Sequence, residues 1–305
     1  MSSRWEKVVV GFDAAEQSRD ALRLGATLAA AEGAELQVAV VLPRGRAPFE
    51  KAIAGGQLAE QLDEQLFGSA ARELEEAQFT PVKLDGGLAG RSAARALYEH
   101  AGEQGVDLIV VGSSHRGKLG RVLPGSVGES LLRGAPCAVA VAPRGYARAE
   151  HPAIRLIGVA YDGSEEAKLA LGEAERLARA LGARIHLITV VPVRTAIVLE
   201  ADLAFELGKA LHREYQQRLD EAVSALGSKT SAEGEPAEGD PASVLVERGS
   251  QLDLLVMGSR GYGPVRAALL GGVSAQVIRT APCPVLVTRR VSAESSDRMN
   301  RPTAR

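Results

Sequence analysis

An α/β fold is predicted, built as two Rossmann-like, five-stranded parallel-sheet domains in tandem, and three observations predict it. First, the chain repeats itself. Asp13, Pro43 and Gly90 answer to Asp162, Pro192 and Gly239 at an offset of 149, and Gly112, Gly125 and Ala135-Pro136-Cys137 answer to Gly258, Gly271 and Ala281-Pro282-Cys283 at an offset of 146. A short deletion between Gly239 and Asp253 accounts for the change, and each copy is domain-sized, far longer than a solenoid repeat. Second, short Val-rich runs alternate with amphipathic helical patterns, as in βαβ units with right-handed crossovers and helices on both sheet faces. Third, a length of 305 residues agrees with about two domains. The bounds are 1–145 and 153–291, with a charged linker bearing Gly and Pro over Arg144–Ala153. A polar, unpatterned stretch at 292–305 is expected to be a disordered tail.

The elements follow in order. Lys7–Phe12 (KVVVGF) is a short apolar run fit for a strand buried on both faces. Ser18–Ala31 reads as a helix closed by Gly33. Leu36–Leu42 is the second strand, residues 56–77 a long helical pattern, and Pro81–Leu84 a weaker third strand. Ser92–Glu103 is helical, Leu108–Val111 is the fourth strand, Val127–Arg133 a helix and Ala138–Ala142 the fifth strand. In the second copy Ala170, Ala174, Leu177 and Leu181 fall on one helical face, and Gly182 stops it. Asp240-Pro241 opens a further helix with a capping side chain and Pro in the first turn. The fifth strands, Ala138–Ala142 and Val285–Thr288, are short apolar edges, and pairing them about a pseudo-twofold covers both.

Composition excludes several functions. Aromatics are only 4 %, which leaves few rings for stacking bases, and a net charge of -2 gives no basic excess to release counterions, so nucleic acid is not an expected partner. No apolar run approaches the length of a membrane span, and Met1 to Glu6 carry no signal-peptide apolar region. A cytoplasmic protein without membrane contact is expected. Cys137 and Cys283 each precede an apolar strand and read as buried reduced thiols. The histidines and cysteines have no zinc-type spacing.

Open parallel sheets bind ligands outside the carboxyl ends of their strands, where strand order reverses. Asp13 and Asp162 follow strand one, Val41 and Val190 end strand two, and Gly112 and Gly258 follow strand four. The stretch after strand four carries the most chemistry. It reads Gly258-Ser259-Arg260-Gly261, nine residues, Gly271-Gly272 in one copy, and Gly112-Ser113-Ser114-His115, nine residues, Gly125-Ser126 in the other. A glycine turn ending on a helix N-terminus offers unpaired N–H groups to an anion, and the helix dipole adds to the attraction. Glycine leaves room for the close approach of phosphate oxygens. Ser126 adds a hydroxyl, and Arg116, Lys118, Arg121, Arg260 and Arg266 stand within or beside the loops as candidate charge screens. There is no Gly-x-x-x-x-Gly-Lys-Ser/Thr loop and no Gly-x-Ser-x-Gly elbow.

The fragments VGFD and AYDGS after strand one, GSRGYG…LLGG and GSSHRG…LPGS after strand four, and APC before the last strand resemble the universal stress protein family over nearly the whole chain. The resemblance implies an adenine nucleotide alpha hydrolase-like fold that takes ATP or ADP, with or without Mg2+. The family's ATP-binding members carry Gly, two residues, Gly, nine residues, Gly, then Ser or Thr. Gly258, Gly261 and Gly271 match that pattern and Gly272 replaces the hydroxyl residue, whereas Gly112, Gly125 and Ser126 match and His115 replaces the second glycine. Adenine and ribose contacts would fall on Asp13 and Val41, and on Asp162 and Val190. A lost hydroxyl at Gly272 costs roughly 1 kcal/mol, so the second copy is expected to be the better site. His115 would be strained if its position needs positive φ, or its imidazole would face a phosphate.

The expected function is that of an ATP/ADP-binding stress-response protein acting as a nucleotide-dependent binding module toward a protein partner the sequence does not identify. It is not expected to be an enzyme beyond slow ATP hydrolysis, because no nucleophile or general base accompanies the glycine loops. The two copies are expected to form an intramolecular pseudo-dimer, and a homodimer of chains is left open. A tandem scaffold with decayed sites and a slow ATPase are the alternatives.

Overall fold

Runs of Val, Leu and Ile too short for helices become the strands, and the Leu- and Ala-rich amphipathic stretches between them become the helices that cover them. The computed structural model describes residues 4–43, 65, 68–75, 83–90, 92–116, 118–148, 153–191, 201–227, 230–259 and 272–289. The first copy runs β1 (Lys7–Phe12), α1 (Glu16–Glu32), β2 (Glu35–Pro43), β3 (Lys83–Gly90), α2 (Ala93–Gln104), β4 (Leu108–Gly112), α3 (Ser126–Gly134) and β5 (Ala138–Ala142). The second runs β6 (Leu156–Ala160), α4 (Glu165–Leu181), β7 (Arg184–Val191), α5 (Ala201–Ala225), β8 (Ala232–Glu238), α6 (Pro241–Arg248), β9 (Leu254–Met257), α7 (Gly272–Ile278) and β10 (Val285–Val287). Of the helical pattern at 56–77, residues 65 and 68–75 are described and are helical. The remainder of that pattern, Arg260, Gly261, Arg266, Gly271 and the stretch 292–305 lie outside the described residues.

The ten strands form one sheet in the order β3-β2-β1-β4-β5-β10-β9-β6-β7-β8. Strand order reverses between β1 and β4, and again between β6 and β9. Every pairing is parallel except the central one, where β5 meets β10 antiparallel with Val141 opposite Val285 and Val139 opposite Val287. The two fifth strands thus cover each other, and two five-stranded sheets become one continuous surface. Because the seam is antiparallel, the carboxyl ends of the two sets of strands lie on opposite edges.

Two apolar layers sandwich the sheet. One gathers Leu22, Leu28, Leu74, Leu177 and Leu187 and holds α1, α4 and α5, and the other gathers Leu97, Ile109, Leu131 and Val277 beneath α2, α3, α6 and α7. Across the seam the Arg176 guanidinium of α4 stacks 4.4 Å from the centroid of Trp5 and forms an ion pair with the buried Glu32 of α1.

Local signals explain most boundaries. The Asp240 carboxylate accepts the Ser243 N–H at 3.0 Å, with Pro241 in the first turn, as the sequence anticipates. Gly182 ends α4 at φ 66. α1 starts at Glu16, earlier than the Ser18 expected, because the Asp13 carboxylate turns the chain by accepting the Ala15 N–H at 3.0 Å. β3 extends to Gly90, well past Leu84, since the ladder with β2 continues to Pro43 opposite Gly90 through glycines that carry no apolar signal. β8 (AEGEPAE) is an edge strand, where Pro236 costs no ladder bond on the open side.

Candidate functional site

In each copy the strand-one aspartate sits at the switch point and closes a tight turn. The Asp13 Oδ1 accepts the Ala15 N–H at 3.0 Å, and the Asp162 Oδ1 accepts the Ser164 N–H at 2.9 Å. Among the described residues no hydrogen bond is made to the second oxygen of either carboxylate. The residue after each aspartate is left-handed: Ala14 at φ 62 in the first copy, Gly163 at φ 80 in the second. Val41 lies near the end of β2 opposite Leu88, and the half-buried Val190 near the end of β7 opposite Ala237, both toward carboxyl edges.

The glycines after strand four divide into two physical kinds. A Cβ at Gly112 would lie 1.9 Å from the Gln17 carbonyl oxygen, and one at Gly258 would lie 2.8 Å from the Glu166 Cβ. These repeated glycines let strand four pass close against the first turn of the strand-one helix, which is a packing duty. Gly125 is different. It is the N-cap of α3 in extended conformation (φ -76, ψ -177), and its nearest foreign atom for an added Cβ is the Ser114 Cβ at 3.9 Å. Among the described residues no atom requires a glycine there. Among the described residues no side chain caps α3, so its first-turn amides lack a side-chain partner at the sheet edge that Asp13 also occupies. Ser126 opens that helix and is exposed.

Between Gly112 and Gly125 the chain makes a pinched excursion. The buried Ser113 hydroxyl donates to the Ala142 carbonyl at 2.7 Å and accepts the Leu123 N–H at 3.2 Å, while the Ser114 N–H donates to the Leu123 carbonyl at 2.6 Å. His115 is exposed and does not have positive φ, so the strain considered from sequence is absent. Its role in the loop comes through its carbonyl, which accepts from the Arg144 Nη1 at 3.3 Å.

The expected charge screens fare unevenly. Arg116 and Lys118 are exposed, whereas the Arg121 guanidinium turns away to donate to the Thr280 carbonyl of the second copy at 3.0 Å. Sequence reasoning passed over Arg144, although it stands at the carboxyl end of strand five, where the same rule that selected Asp13 and Gly112 applies. In the second copy Gly258 and Gly272 are described, and the Ser274 hydroxyl donates to the Gly258 carbonyl at 3.2 Å. Gly261 and Gly271 fall outside the described residues.

The other titratable candidates have structural roles. Cys137 and Cys283 are free and buried, and burial pushes both thiols up to about 12, far from thiolate chemistry. Among the described residues no group of three or more His, Cys, Asp or Glu side chains is arranged to hold a metal ion, and no helix is long and apolar enough to cross a membrane.

A tandem pair of Rossmann-like units, each with an aspartate after strand one and a glycine after strand four at its switch point, is the class that the fold and the site define. A model of the universal stress protein family matches residues 4–143 and again 153–289. The chain belongs to the universal stress protein family in tandem form. It is 32 % identical over 294 residues to a universal stress protein of Mycobacterium tuberculosis, covering 93 % of this chain and 97 % of that one. A shorter universal stress protein of Thermus aquaticus is 35 % identical over 147 residues, covering 44 % of this chain and 98 % of its own. A solved universal stress protein from Archaeoglobus fulgidus shares the fold at a TM-score of 0.67 and 22 % identity, covering 93 % of this chain and 98 % of that one.

Proposed function

We propose that the protein binds ATP or ADP, with phosphates at Gly125–Ser126 and the nucleoside at Asp13 and Val41, and acts as a nucleotide-dependent binding module. The single observation that carries this reading is Gly125. It is a glycine on which the described residues place no steric or conformational demand, standing at a helix start without a side-chain cap on the switch-point edge. Membership of the family adds the adenine-nucleotide expectation. The equivalent second site, around Asp162, Val190, Gly258, Gly261, Gly271 and Gly272, belongs to the same reading.

Turnover is expected to be slow. The carboxylate in the first turn of α3, Glu129, pairs with Arg133 at 3.3 Å and Arg279 at 3.2 Å, and so is held as an ion-pair partner. ATP on backbone donors without a positioned water hydrolyses little. Calorimetric titration of ATP into the purified chain, with phosphate release followed in parallel, tests the reading. Saturable binding, a thermal shift at millimolar ATP and release below about one phosphate per minute are expected. No shift and no heat would favour the decayed scaffold, and faster release would favour the ATPase.

A further inference from the structure

Resting on the nucleotide reading above, we propose that the second copy braces the anion turn of the first. Three consecutive residues between α7 and β10, Arg279, Thr280 and Ala281, would then be positioning residues for the site at Asp13 and Gly125–Ser126. The Val122 N–H donates to the Ala281 carbonyl at 2.8 Å, and the Arg121 Nη1 donates to the Thr280 carbonyl at 3.0 Å. The Arg279 Nη2 pairs with the Glu129 Oε1 at 3.2 Å. Val122 precedes Gly125 by three residues, and Glu129 lies in the first turn of α3, three residues beyond Ser126. The three links therefore bracket the turn from both sides, and all three come from the other half of the molecule.

The opposite flank of the same loop is held by Arg144. Its carbonyl accepts the Gly120 N–H at 2.8 Å, its N–H donates to the Arg121 carbonyl at 3.1 Å, and its Nη1 donates to the His115 carbonyl at 3.3 Å. The segment following Arg144 is in turn fastened to α1, where the buried Asp20 carboxylate accepts the Gly145 and Ala147 N–H groups, each at 2.8 Å. The loop is thus clamped between the linker and the second copy.

These contacts are poorly placed to serve stability alone. The halves are already joined by the β5–β10 ladder and by the buried Arg176–Glu32 pair. Arg279 is 57 % exposed, and exposed ion pairs contribute little to global stability. What the Arg279 and Arg121 contacts do fix is the direction in which the first amides of α3 point. A phosphate bound there would tighten the brace, and by linkage the brace tightens the phosphate.

The test uses the whole chain with the second site silenced by Asp162→Ala and ATP titrated calorimetrically. Arg279→Ala and Arg121→Ala should each weaken ATP about fivefold or more at the first site, with Arg279→Lys restoring most of the loss. In an Asp13→Ala background, which leaves only the second site, the same substitutions should change affinity by less than about twofold. Amide hydrogen exchange over residues 120–129 should quicken in Arg279→Ala without ATP, while the unfolding midpoint stays put. Unchanged first-site affinity, equal weakening in both backgrounds, or no rescue by lysine would overturn the proposal. ATP bound only at the second site would overturn it too, leaving the nucleotide reading intact. If the parent chain takes up no ATP at all, the nucleotide reading fails by itself, and exchange decides the brace: unaltered rates over 120–129 in Arg279→Ala would refute it.

Discussion

A methyl group added at Gly112 and one added at Gly125 should have opposite consequences. At position 112 the new Cβ would lie 1.9 Å from the Gln17 carbonyl oxygen and 2.5 Å from its carbon. Ordinary carbon contacts stand at about 3.5 Å, so the first turn of α1 would have to retreat by roughly 1.5 Å. Backbone cannot rotate aside as a side-chain tip can, and α1 is anchored by the fully buried Leu22, Leu24 and Leu28. Overpacking costs about 1–3 kcal/mol and a backbone collision belongs at the upper end, so Gly112→Ala should lose about 3 kcal/mol. For a chain of this size that is a fall in Tm of roughly 6–12 °C. At position 125 the nearest atom is 3.9 Å away and φ is -76, open to any residue. Gly125→Ala should therefore stay within about 0.5 kcal/mol of the parent in stability. Its methyl group would instead intrude on a phosphate and weaken first-site ATP by about tenfold, the equivalent of one lost hydrogen bond. Urea denaturation read by the single tryptophan, and ATP titration with the second site silenced by Asp162→Ala, measure the two effects. A Gly112→Ala chain as stable as the parent would refute the packing argument, and unaltered first-site ATP affinity in Gly125→Ala would remove the anion from that turn.

Other substitutions isolate single terms. Ala14 holds φ 62 where the second copy has Gly163 at φ 80, so Ala14→Gly should stabilise by about 0.5 kcal/mol and Gly163→Ala should destabilise by about 1 kcal/mol, both read as shifts in urea midpoint. Glu32→Gln leaves the Arg176 guanidinium buried without that partner, and should cost about 3 kcal/mol while shifting the emission of Trp5, on which Arg176 stacks; unmoved emission would count against the stack. For Asp20, burial raises the carboxyl above its ordinary value despite the lowering effect of two N–H donors. Only between the ordinary carboxylate value and the raised one does the folded form keep a proton that the unfolded chain releases, so stability from this group falls as pH rises through that window. Compared with Asp20→Asn, the parent should gain stability as pH is lowered through that window, and a gain on raising pH would contradict the assignment.

The fold was legible because its two signals, apolar period and repetition, act over many residues at once. The site was only partly legible, because repetition marks anything both copies need. Asp107 and Asp253 repeat as faithfully as Asp13 and Asp162, yet the Asp107 Oδ2 accepts the Glu6 and Lys7 N–H groups and the Asp253 Oδ2 accepts those of Arg155 and Leu156. Those aspartates start strands. Gly112 and Gly258 repeat for helix packing, and only distances separate them from Gly125. Arg121 looked like a phosphate screen in sequence because it lies beside the loop; its true partner, Thr280, is remote in the chain and carries no sequence signal for the contact. Strand ends in glycine-rich segments such as β3 were likewise unreadable, since a ladder formed by backbone alone leaves no trace in side-chain pattern.

The position of Thr280 beside the first loop follows from the seam. In a parallel stack the start of one strand lies at the far edge from its neighbour's end, so a loop leaving β4 could not meet the residues entering another strand of the same run. Reversing the whole second set of strands at the central seam changes this. The entry to β10 is brought to the edge from which β4 and β5 leave, and the Ala281 carbonyl faces the Val122 N–H. The antiparallel β5–β10 pairing that covers two apolar edges therefore also places the turn before β10 against the first copy's glycine loop. Had the halves joined through a parallel seam, both carboxyl edges would have faced the same way, and the turn carrying Arg279, Thr280 and Ala281 would have sat at the opposite edge, out of reach.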